Sequence, residues 1–408
     1  MTTPHTWQFS ARFRSNAFGW QSDTPIQRIK EALAEIKAVA KQEPVLAAEG
    51  AVRFLEKLSP AIAHVDSSSG RIGSAVRSAI AVLVPIIAQA DVSTAAREKW
   101  LVRLWDAIEK DRIPYLESLM DFWGELCVSK ELASTWADRL APTLAAVWDR
   151  CANGDFEYFK GTQACLGALF AAGRHDELFA LIARSEYRYT SWNYREWGAK
   201  ALVAAGKHRE AIDYAEGAKG FNAPLGAIAT FCEGVLLENG FADEAYLRYA
   251  LAATYATTNL ATFKAIVKKY PQIPRETVLR DLVASQPGQE GKWFAAAKDA
   301  GFFELAIELA NRSPSDPRTL TRAARDYAVK QPEFALAAGM TALRGIAAGW
   351  GYEITSQDVL DAYAATMEAA GVAGVSEPAV VANVRELVAA NGKGGAFVGR
   401  ALGRRLEA

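Results

Sequence analysis

The chain has 408 residues, of which half are hydrophobic, and this is enough apolar material for a core to exclude wholesale disorder. Its 46 basic and 47 acidic residues leave a formal net charge of −1. That balance excludes a global electrostatic attraction to nucleic acid or to membranes, so any such binding needs a local patch.

The sequence predicts a cytoplasmic protein with no membrane partner. The N-terminus lacks a basic start followed by an apolar stretch, so we expect no secretory signal. The longest apolar run, residues 79–88, is much shorter than the roughly 20 residues of a bilayer span. The four cysteines contain no C-x-x-C pair and are too few for a disulfide scaffold. We therefore expect reduced, buried thiols.

Helix signals dominate the chain and strand signals are nearly absent, so the predicted fold class is all-α. We expect one helix over 114–128, with Ser356 and Ser376 as N-caps of later helices. Breaks in the pattern divide the chain into a basic and aromatic N-terminal arm (1–23), an N-terminal helical domain (24–150), helical repeats (156–312), C-terminal helical hairpins (313–390) and a Gly/Arg-rich tail (391–408). Tryptophans at helical spacing are predicted core anchors: Trp100, Trp105, Trp123, Trp136 and Trp148.

Four segments of the repeat region share one pattern. Each has an apolar helix end, a glycine and an acidic or polar stretch, and three of the four then have a small residue. The glycine suits the left-handed turn after a helix, and an acidic residue suits the first turn of the next helix. The shared glycines are Gly173, Gly206, Gly240 and Gly301. Each unit is a helical hairpin whose apolar face only a stacked neighbour can bury.

This pattern resembles the tetratricopeptide-type repeat, a helix-turn-helix of 34 residues. The four glycines match the turn glycine of that family. The small residue of the second helix is matched by Ala211, Ala245 and Ala306, whereas the small residue of the first helix becomes Leu166, Ala199, Glu233 and Ala297. The resemblance covers 156–312 and implies a TPR-like α-α superhelix whose groove holds a protein or peptide. The overall design also resembles that of bacterial helical-repeat proteins and implies no activity.

The first hypothesis is therefore a non-catalytic interaction scaffold or adaptor. The passage 184–197 is rich in Tyr, Trp and Arg, which anchor interfaces, and Arg195 begins a helix of the kind that lines a repeat groove. The candidate partner-binding residues are Arg188, Tyr189, Trp192, Tyr194, Arg195, Lys264 and Lys268. Lys264 and Lys268 belong to a basic strip that suits an acidic partner. The alternatives are repeat-core packing for the aromatic residues and a solvated helix face for the lysines.

The second hypothesis is association with nucleic acid through two locally basic ends of the chain. Its candidate residues are Arg12, Arg14 and Trp20 in the arm and Arg400, Arg404 and Arg405 in the tail. Aromatic rings stack on bases, and arginine contacts phosphates. The alternative for the arm is that it docks on the domain and buries its rings. The glycines of the tail either form a strip for close helix packing or belong to a frayed end.

The third hypothesis is an enzyme with a site between the N-terminal domain and the repeats. Carboxylates are dense there, at Asp106, Glu109, Asp111, Asp121 and Glu125, although on helices such groups are ordinarily solvated. The sequence contains no H-E-x-x-H motif, no Cys/His quartet, no G-x-S-x-G elbow and no complete phosphate loop. It therefore predicts no cofactor, no metal and no catalytic residue, with His175 and His208 as structural residues at equivalent repeat positions.

Overall fold

The chain is all-α in the residues that the structure describes. The computed structural model describes residues 5–155, 157–185, 191–218 and 224–406, and these contain no β-strand. The chain divides into two compact units, unit 1 (Met1–Pro224) and unit 2 (Leu225–Ala408). The predicted fold class, an all-α helical-repeat protein, is confirmed. The division after Pro224 falls inside the predicted repeat segment, and the predicted segment boundaries stay predictions.

Unit 1 contains an N-terminal set of helices followed by the first hairpins of the repeat. Its helices are α1 (Gln8–Arg12), α2 (Asp23–Ala40), α3 (Pro44–Ile62), α4 (Arg71–Ala88), α5 (Thr94–Glu109), α6 (Trp123–Cys127), α7 (Lys130–Ala152), α8 (Thr162–Ala172), α9 (His175–Ser185), α10 (Trp192–Ala204) and α11 (His208–Glu216). A 3₁₀-helix, Glu117–Phe122, precedes α6. The pairs α8/α9 and α10/α11 are consecutive helical hairpins.

Within unit 1, the N-terminal arm packs on α2 and α3. Phe9 and Phe13 are buried, and their rings lie edge to face against Phe54 of α3 at centroid distances of 5.4 and 5.0 Å. The carboxylate of Glu35 in α2 accepts hydrogen bonds from the backbone N–H groups of Gln8 at 2.7 Å and Phe9 at 3.2 Å. These contacts satisfy donors that the start of a helix leaves without an intrahelical partner. Phe9 and Phe13 of the arm are therefore core residues, whereas Trp20 is exposed.

The predicted single helix over 114–128 is wrong. The segment forms the 3₁₀-helix and then α6, which ends at Cys127 and is followed by Val128 with a φ of 63°. At this point α6 packs closely on α8, because a Cβ on Gly124 would lie 2.4 Å from the carbonyl oxygen of Gly167. The prediction of tryptophan anchors is confirmed at this junction. Trp123 and Trp136 are buried with their ring centroids 4.9 Å apart, and Trp105 packs on both.

Among the described helices, α4 alone is long and apolar enough to cross a membrane by length and composition. It begins at Arg71 and ends at Ala88, so it is longer than the apolar run at residues 79–88. In the structure α4 packs against α2 and α3, and Ile80, Leu83 and Ile87 are buried. Its apolar residues thus contribute to the core of unit 1.

Unit 2 continues the hairpins and ends in three further helices. Its helices are α12 (Leu225–Glu238), α13 (Ala242–Ala253), α14 (Asn259–Lys269), α15 (Arg275–Ala284), α16 (Phe294–Asp299), α17 (Phe303–Arg312), α18 (Pro317–Tyr327), α19 (Pro332–Ala347), α20 (Ser356–Val372), α21 (Glu377–Ala390) and α22 (Gly392–Leu402). Short 3₁₀-helices span Glu290–Trp293 and Gly403–Leu406. The hairpins are α12/α13, α14/α15, α16/α17 and α18/α19.

The repeat corners have the predicted geometry. Gly173, Gly206, Gly240 and Gly301 have φ values of 75°, 75°, 81° and 85°, in the left-handed region. The matching alanines of the second helices, Ala211, Ala245 and Ala306, are fully buried. Pro271 lies in the turn between α14 and α15, which supply the hairpin that the sequence pattern skips. The described residues therefore contain consecutive helical hairpins with a glycine at the predicted corners.

The glycine-rich tail is helical rather than frayed in the part that the structure describes. It forms α22, which packs against α19, α20 and α21. A Cβ on Gly394 would lie 2.0 Å from the carbonyl oxygen of Ala347, and one on Gly395 would lie 2.1 Å from that of Val388. The glycines therefore permit a close approach of backbones, which is the packing alternative that the sequence offered.

Candidate functional site

The predicted partner-binding cluster of unit 1 lies largely within its own hairpins. Arg188 and Tyr189 lie outside the described residues. Trp192 is buried, and the half-buried Tyr194 packs on Trp148 of α7 with ring centroids 5.5 Å apart. The guanidinium of Arg195 lies 4.2 Å from the ring centroid of Tyr214 and donates a hydrogen bond to the Tyr214 carbonyl oxygen at 3.1 Å. The described members of this cluster thus join α10 to α7 and α11.

The predicted basic strip of unit 2 is largely neutralised by carboxylates of the same unit. Lys264 forms an ion pair with Asp299 at 2.9 Å, and the neighbouring Lys269 forms one with Glu233 at 2.8 Å. Lys268 is exposed. Glu233, itself buried, also accepts a hydrogen bond from the Tyr270 hydroxyl at 2.5 Å. Burial, and then this hydrogen bond, raise the pKa of Tyr270.

The nucleic-acid candidates are divided between the two units. In unit 1, Arg12 forms an ion pair with Glu31 at 2.6 Å, Arg14 is exposed, and Trp20 exposes 72% of its surface. In unit 2 the exposed candidates are Arg400, Arg404 and Arg405. Because most rings of the arm are buried, Trp20 is its one large ring of high exposure among the described residues.

The five carboxylates of the enzyme hypothesis do not converge. Asp111 is buried, and its carboxylate accepts hydrogen bonds from the Ser59 hydroxyl at 2.5 Å and from the Leu116 N–H at 2.7 Å. Asp121 lines a separate pocket of unit 1. The other three, Asp106, Glu109 and Glu125, are exposed. Within the described ranges, no group of three or more His, Cys, Asp or Glu residues is arranged to hold a metal ion.

Sequence reasoning missed a groove in unit 2, which we call the second-helix groove. It has a volume of about 710 Å³ and is lined by the second helices of three consecutive hairpins, α15, α17 and α19. The corner at Gly301 closes one part of its wall. The predicted binding residues Arg195, Lys264 and Lys268 lie on α10 and α14, the first helices of their hairpins, whereas this groove is formed by second helices.

The second-helix groove is acidic. Its charged lining residues are four glutamates and one arginine: Glu276, Glu304, Glu308, Glu333 and Arg280. Two of the carboxylates are paired along their own helices, since Arg280 donates to Glu276 at 2.7 Å and Arg312 forms an ion pair with Glu308. Glu304 and Glu333 are exposed and form no ion pair within the described residues. The groove therefore presents net negative charge to solvent.

The apolar part of the groove is aromatic. Phe302 and Phe303 are half-buried, whereas Phe334 is buried beneath them. The ring of Phe303 packs on Phe334 at a centroid distance of 4.8 Å and on Tyr327 at 5.4 Å. This packing fixes the ring positions, so the floor is a rigid aromatic surface of the kind that anchors protein interfaces.

A sequence signal for this groove does exist. The first turn of α17 contains Phe303 and Glu304, and the first turn of α19 contains Glu333 and Phe334. An acidic residue in the first turn of a helix is ordinarily explained by its favourable interaction with the helix dipole. That explanation makes its contribution to the charge of a groove easy to overlook. The repetition of acid beside aromatic at the start of successive second helices is the feature that distinguishes the groove.

The fold and the site define the class of this protein as an all-α helical-repeat protein with an acidic, aromatic groove. No family model matches the chain, and no curated protein sequence matches it. Among solved structures it is similar to the crystal structure of the APC/C hetero-tetramer Cut9–Hcn1. The identity is 11% over 92% of this chain and 82% of that chain, with a TM-score of 0.22. At that TM-score the similarity carries no argument about function.

Proposed function

We propose that the chain is a non-catalytic protein-interaction scaffold that binds a peptide segment of a partner protein in the second-helix groove. The observation that carries the proposal is that Glu304 and Glu333, from two neighbouring hairpins, form no ion pair within the described residues and line one groove with the half-buried Phe302 and Phe303. Stacked helical hairpins present extended surfaces for such contacts, and function resides in the site rather than in the fold. The cytoplasmic location and the bacterial origin stay predictions of the sequence.

The specificity of the groove depends on its charge and on its apolar surface. Glu304 and Glu333 favour lysine or arginine side chains, and opposite charges across an interface increase the association rate and exclude acidic competitors. Phe302 and Phe303 offer an apolar surface for one or two hydrophobic residues of the same segment. An amphipathic helix with basic and apolar faces satisfies both conditions, and this is an established way for a peptide to occupy a helical groove.

The test is a binding titration with a defined peptide. A fluorescently labelled amphipathic peptide of lysine and leucine at helical spacing is titrated with the full chain, and anisotropy is recorded. The matched probe has glutamate in place of every lysine. We expect saturable binding of the lysine peptide alone, and a loss of affinity as the salt concentration rises, because exposed charges are screened.

Two variants connect binding to the groove. The double variant Glu304→Gln/Glu333→Gln removes the unpaired carboxylates, and we expect it to weaken binding about fivefold, from about 0.5 kcal/mol for each exposed charge contact. Glu377→Gln is the matched control, because Glu377 is likewise an exposed glutamate in the first turn of a helix, α21, outside the groove. Equal affinity of the double variant and the wild type, or equal binding of the glutamate peptide, contradicts the proposal.

A further inference from the structure

Unit 1 contains a pocket that the proposed scaffold function does not use. The pocket has a volume of about 380 Å³, within the range of small-molecule sites. Its wall is formed by α4, the loop at residues 114–115, the 3₁₀-helix Glu117–Phe122, residues 158–160, and the starts of α8 and α10. Most of the side chains that line it are polar, which is unusual for a gap left by imperfect packing of apolar helices.

One buried hydroxyl group of the pocket wall, that of Ser118, makes no hydrogen bond within the described residues. The same wall contains Tyr115, which is only 6% exposed and whose hydroxyl lies beside Ser67. A buried polar group without a partner is costly, and native proteins contain few of them. The Ser118 hydroxyl can donate and accept, so it suits a ligand that presents groups of the same dual character.

The charges of the pocket balance. Arg77 and Lys160 supply two positive charges, and Glu117 and Asp121 supply two carboxylates. Lys160 uses two of its three donors on the carbonyl oxygens of Ile108 at 3.0 Å and Asp111 at 3.3 Å, so one donor is left for a ligand. Because neither sign prevails, a ligand with net charge gains nothing over a neutral one. The lining offers both donors and acceptors to a neutral molecule.

The aromatic and amide side chains of the pocket are held in place by their neighbours. Tyr194 is braced by Trp148. The side chain of Gln163 donates to the Asn193 carbonyl oxygen at 3.3 Å and accepts a hydrogen bond from the Trp197 indole N–H at 2.7 Å. A site whose groups are fixed before the ligand arrives loses less entropy on binding. The ring of Tyr194 offers an apolar face beside these polar groups.

We propose that this pocket binds a neutral, polyhydroxylated molecule of mono- or disaccharide size. Such a molecule presents hydroxyl groups that both donate and accept, and it meets the carboxylates of Glu117 and Asp121, the free donor of Lys160 and the hydroxyl of Ser118. Its C–H faces pack on Tyr194. The site is a ligand-binding site in unit 1 and is independent of the groove in unit 2.

The experiment is isothermal titration calorimetry of the full chain with D-glucose, D-galactose, maltose and trehalose at millimolar concentration. Calorimetry is preferred over a melting shift, because sugars stabilise proteins generally through exclusion from their surface. Glucose 6-phosphate and glycine serve as anionic and zwitterionic probes. We expect one-to-one binding of at least one neutral sugar, weaker binding of glucose 6-phosphate because it carries net charge, and weaker binding of glycine because it has no hydroxyl group.

Variants assign the binding to the pocket. We expect Asp121→Asn and Ser118→Ala each to weaken sugar binding, Asp121→Asn by about tenfold, as for the loss of a charged hydrogen-bond partner. Asp106→Asn is the control, since Asp106 is an exposed aspartate outside the pocket, and its affinity stays at the wild-type value. Circular dichroism checks that each variant is folded. The proposal is overturned if no neutral sugar binds, if a charged probe binds more tightly, or if neither pocket variant changes the affinity.

Discussion

At the scale of single residues, burial determines the chemistry of the cysteines. Cys127 and Cys165 are fully buried, and burial raises the pKa of each thiol to about 12. Cys232 is also buried, whereas Cys151 is half-buried and donates to the Glu157 carbonyl oxygen. Because the thiolate is the reactive form, the buried thiols are protected both by their protonation and by their lack of access.

We therefore expect selective alkylation of the native protein. Treatment with iodoacetamide near pH 8, followed by peptide mass spectrometry, labels Cys151 and leaves Cys127, Cys165 and Cys232 unmodified. In denaturant all four cysteines react, and this serves as the control. Rapid native labelling of Cys127 or Cys165 contradicts the burial described for the helices that contain them.

The N-cap of α20 is a second feature with a defined energetic role. The Thr355 hydroxyl accepts a hydrogen bond from the Asp358 N–H, and the Asp358 carboxylate accepts one from the Thr355 N–H, which forms a capping box. We expect Thr355→Ala to lower the free energy of unfolding by about 1 kcal/mol. Ser376 occupies the N-cap position of α21 but makes no capping hydrogen bond, so Ser376→Ala is the control and has a smaller effect. Equal losses in chemical denaturation contradict this account.

Asp358 adds a pH dependence to the same cap. Its hydrogen bond from Arg318 at 2.6 Å, together with those from Thr355, holds the pKa of Asp358 well below its usual value. A lowered folded-state pKa contributes stability that is fully present above the unfolded pKa of about 3.9 and is lost as the pH falls below it. We expect the difference in unfolding free energy between wild type and Asp358→Asn to be largest near neutral pH and to shrink in acid. A difference that is constant with pH contradicts this role.

Residue-level prediction from sequence succeeded where the requirement is local and failed where it depends on a neighbour. The glycines of the repeat corners follow from a backbone requirement that the sequence displays directly. By contrast, Ser356 was expected to cap α20, and the cap is Thr355, because the reciprocal bond needs an acid three residues later, which is Asp358. The groove role predicted for Arg195 stays a prediction, and the contact of its guanidinium with Tyr214, 19 residues away, is one that periodicity does not reveal.

At the scale of helices, the corner glycines set the geometry of each hairpin. Gly206 has a φ of 75°, and no heavy atom lies within 4 Å of a Cβ built on it, so a substitution there is opposed by backbone strain alone. Gly234 lies inside α12 with helical backbone and the same open space. The two glycines therefore separate conformational strain from packing.

We expect alanine substitutions at these glycines to have opposite effects. Gly206→Ala lowers the free energy of unfolding by about 1 kcal/mol, because alanine disfavours the left-handed region. Gly234→Ala raises it by about 0.5 to 1 kcal/mol, because alanine loses less backbone entropy in a helix. Urea denaturation followed by circular dichroism measures both values. A stabilising Gly206→Ala contradicts the corner assignment.

Helix boundaries can be predicted from the sequence only where a local residue, such as a corner glycine, ends the helix. The segment 114–128 is predicted to form one helix, but it forms a 3₁₀-helix followed by α6, whose Gly124 lies close to Gly167 of α8. The tail 391–408 contains glycines that disfavour a helix in isolation, yet α22 forms because those glycines let it approach α19 and α21. The contacts of Gly124 with Gly167 and of Gly394 with Ala347 join segments far apart in the sequence, so helix periodicity does not reveal them.

At the scale of the whole chain, repeat periodicity predicts helical hairpins, but it does not predict which surface of the hairpins binds a partner. The charge of a surface depends on ion pairs between residues about one repeat apart, such as Lys264 with Asp299. Such pairs neutralise most of the predicted basic strip around Lys264. Glu304 and Glu333, by contrast, form no ion pair within the described residues. The acidic groove therefore emerges only when neighbouring hairpins are assembled.

Hydrogen–deuterium exchange of the full chain, with and without the lysine and leucine peptide at saturation, tests the central claim most directly. Amide protection by the bound peptide is expected in the three helices that line the second-helix groove, at residues 275–284, 303–312 and 332–347. The corresponding peptides of unit 1 exchange at unchanged rates. Protection confined to unit 1 or to the basic tail, with no change in those three helices, contradicts the account.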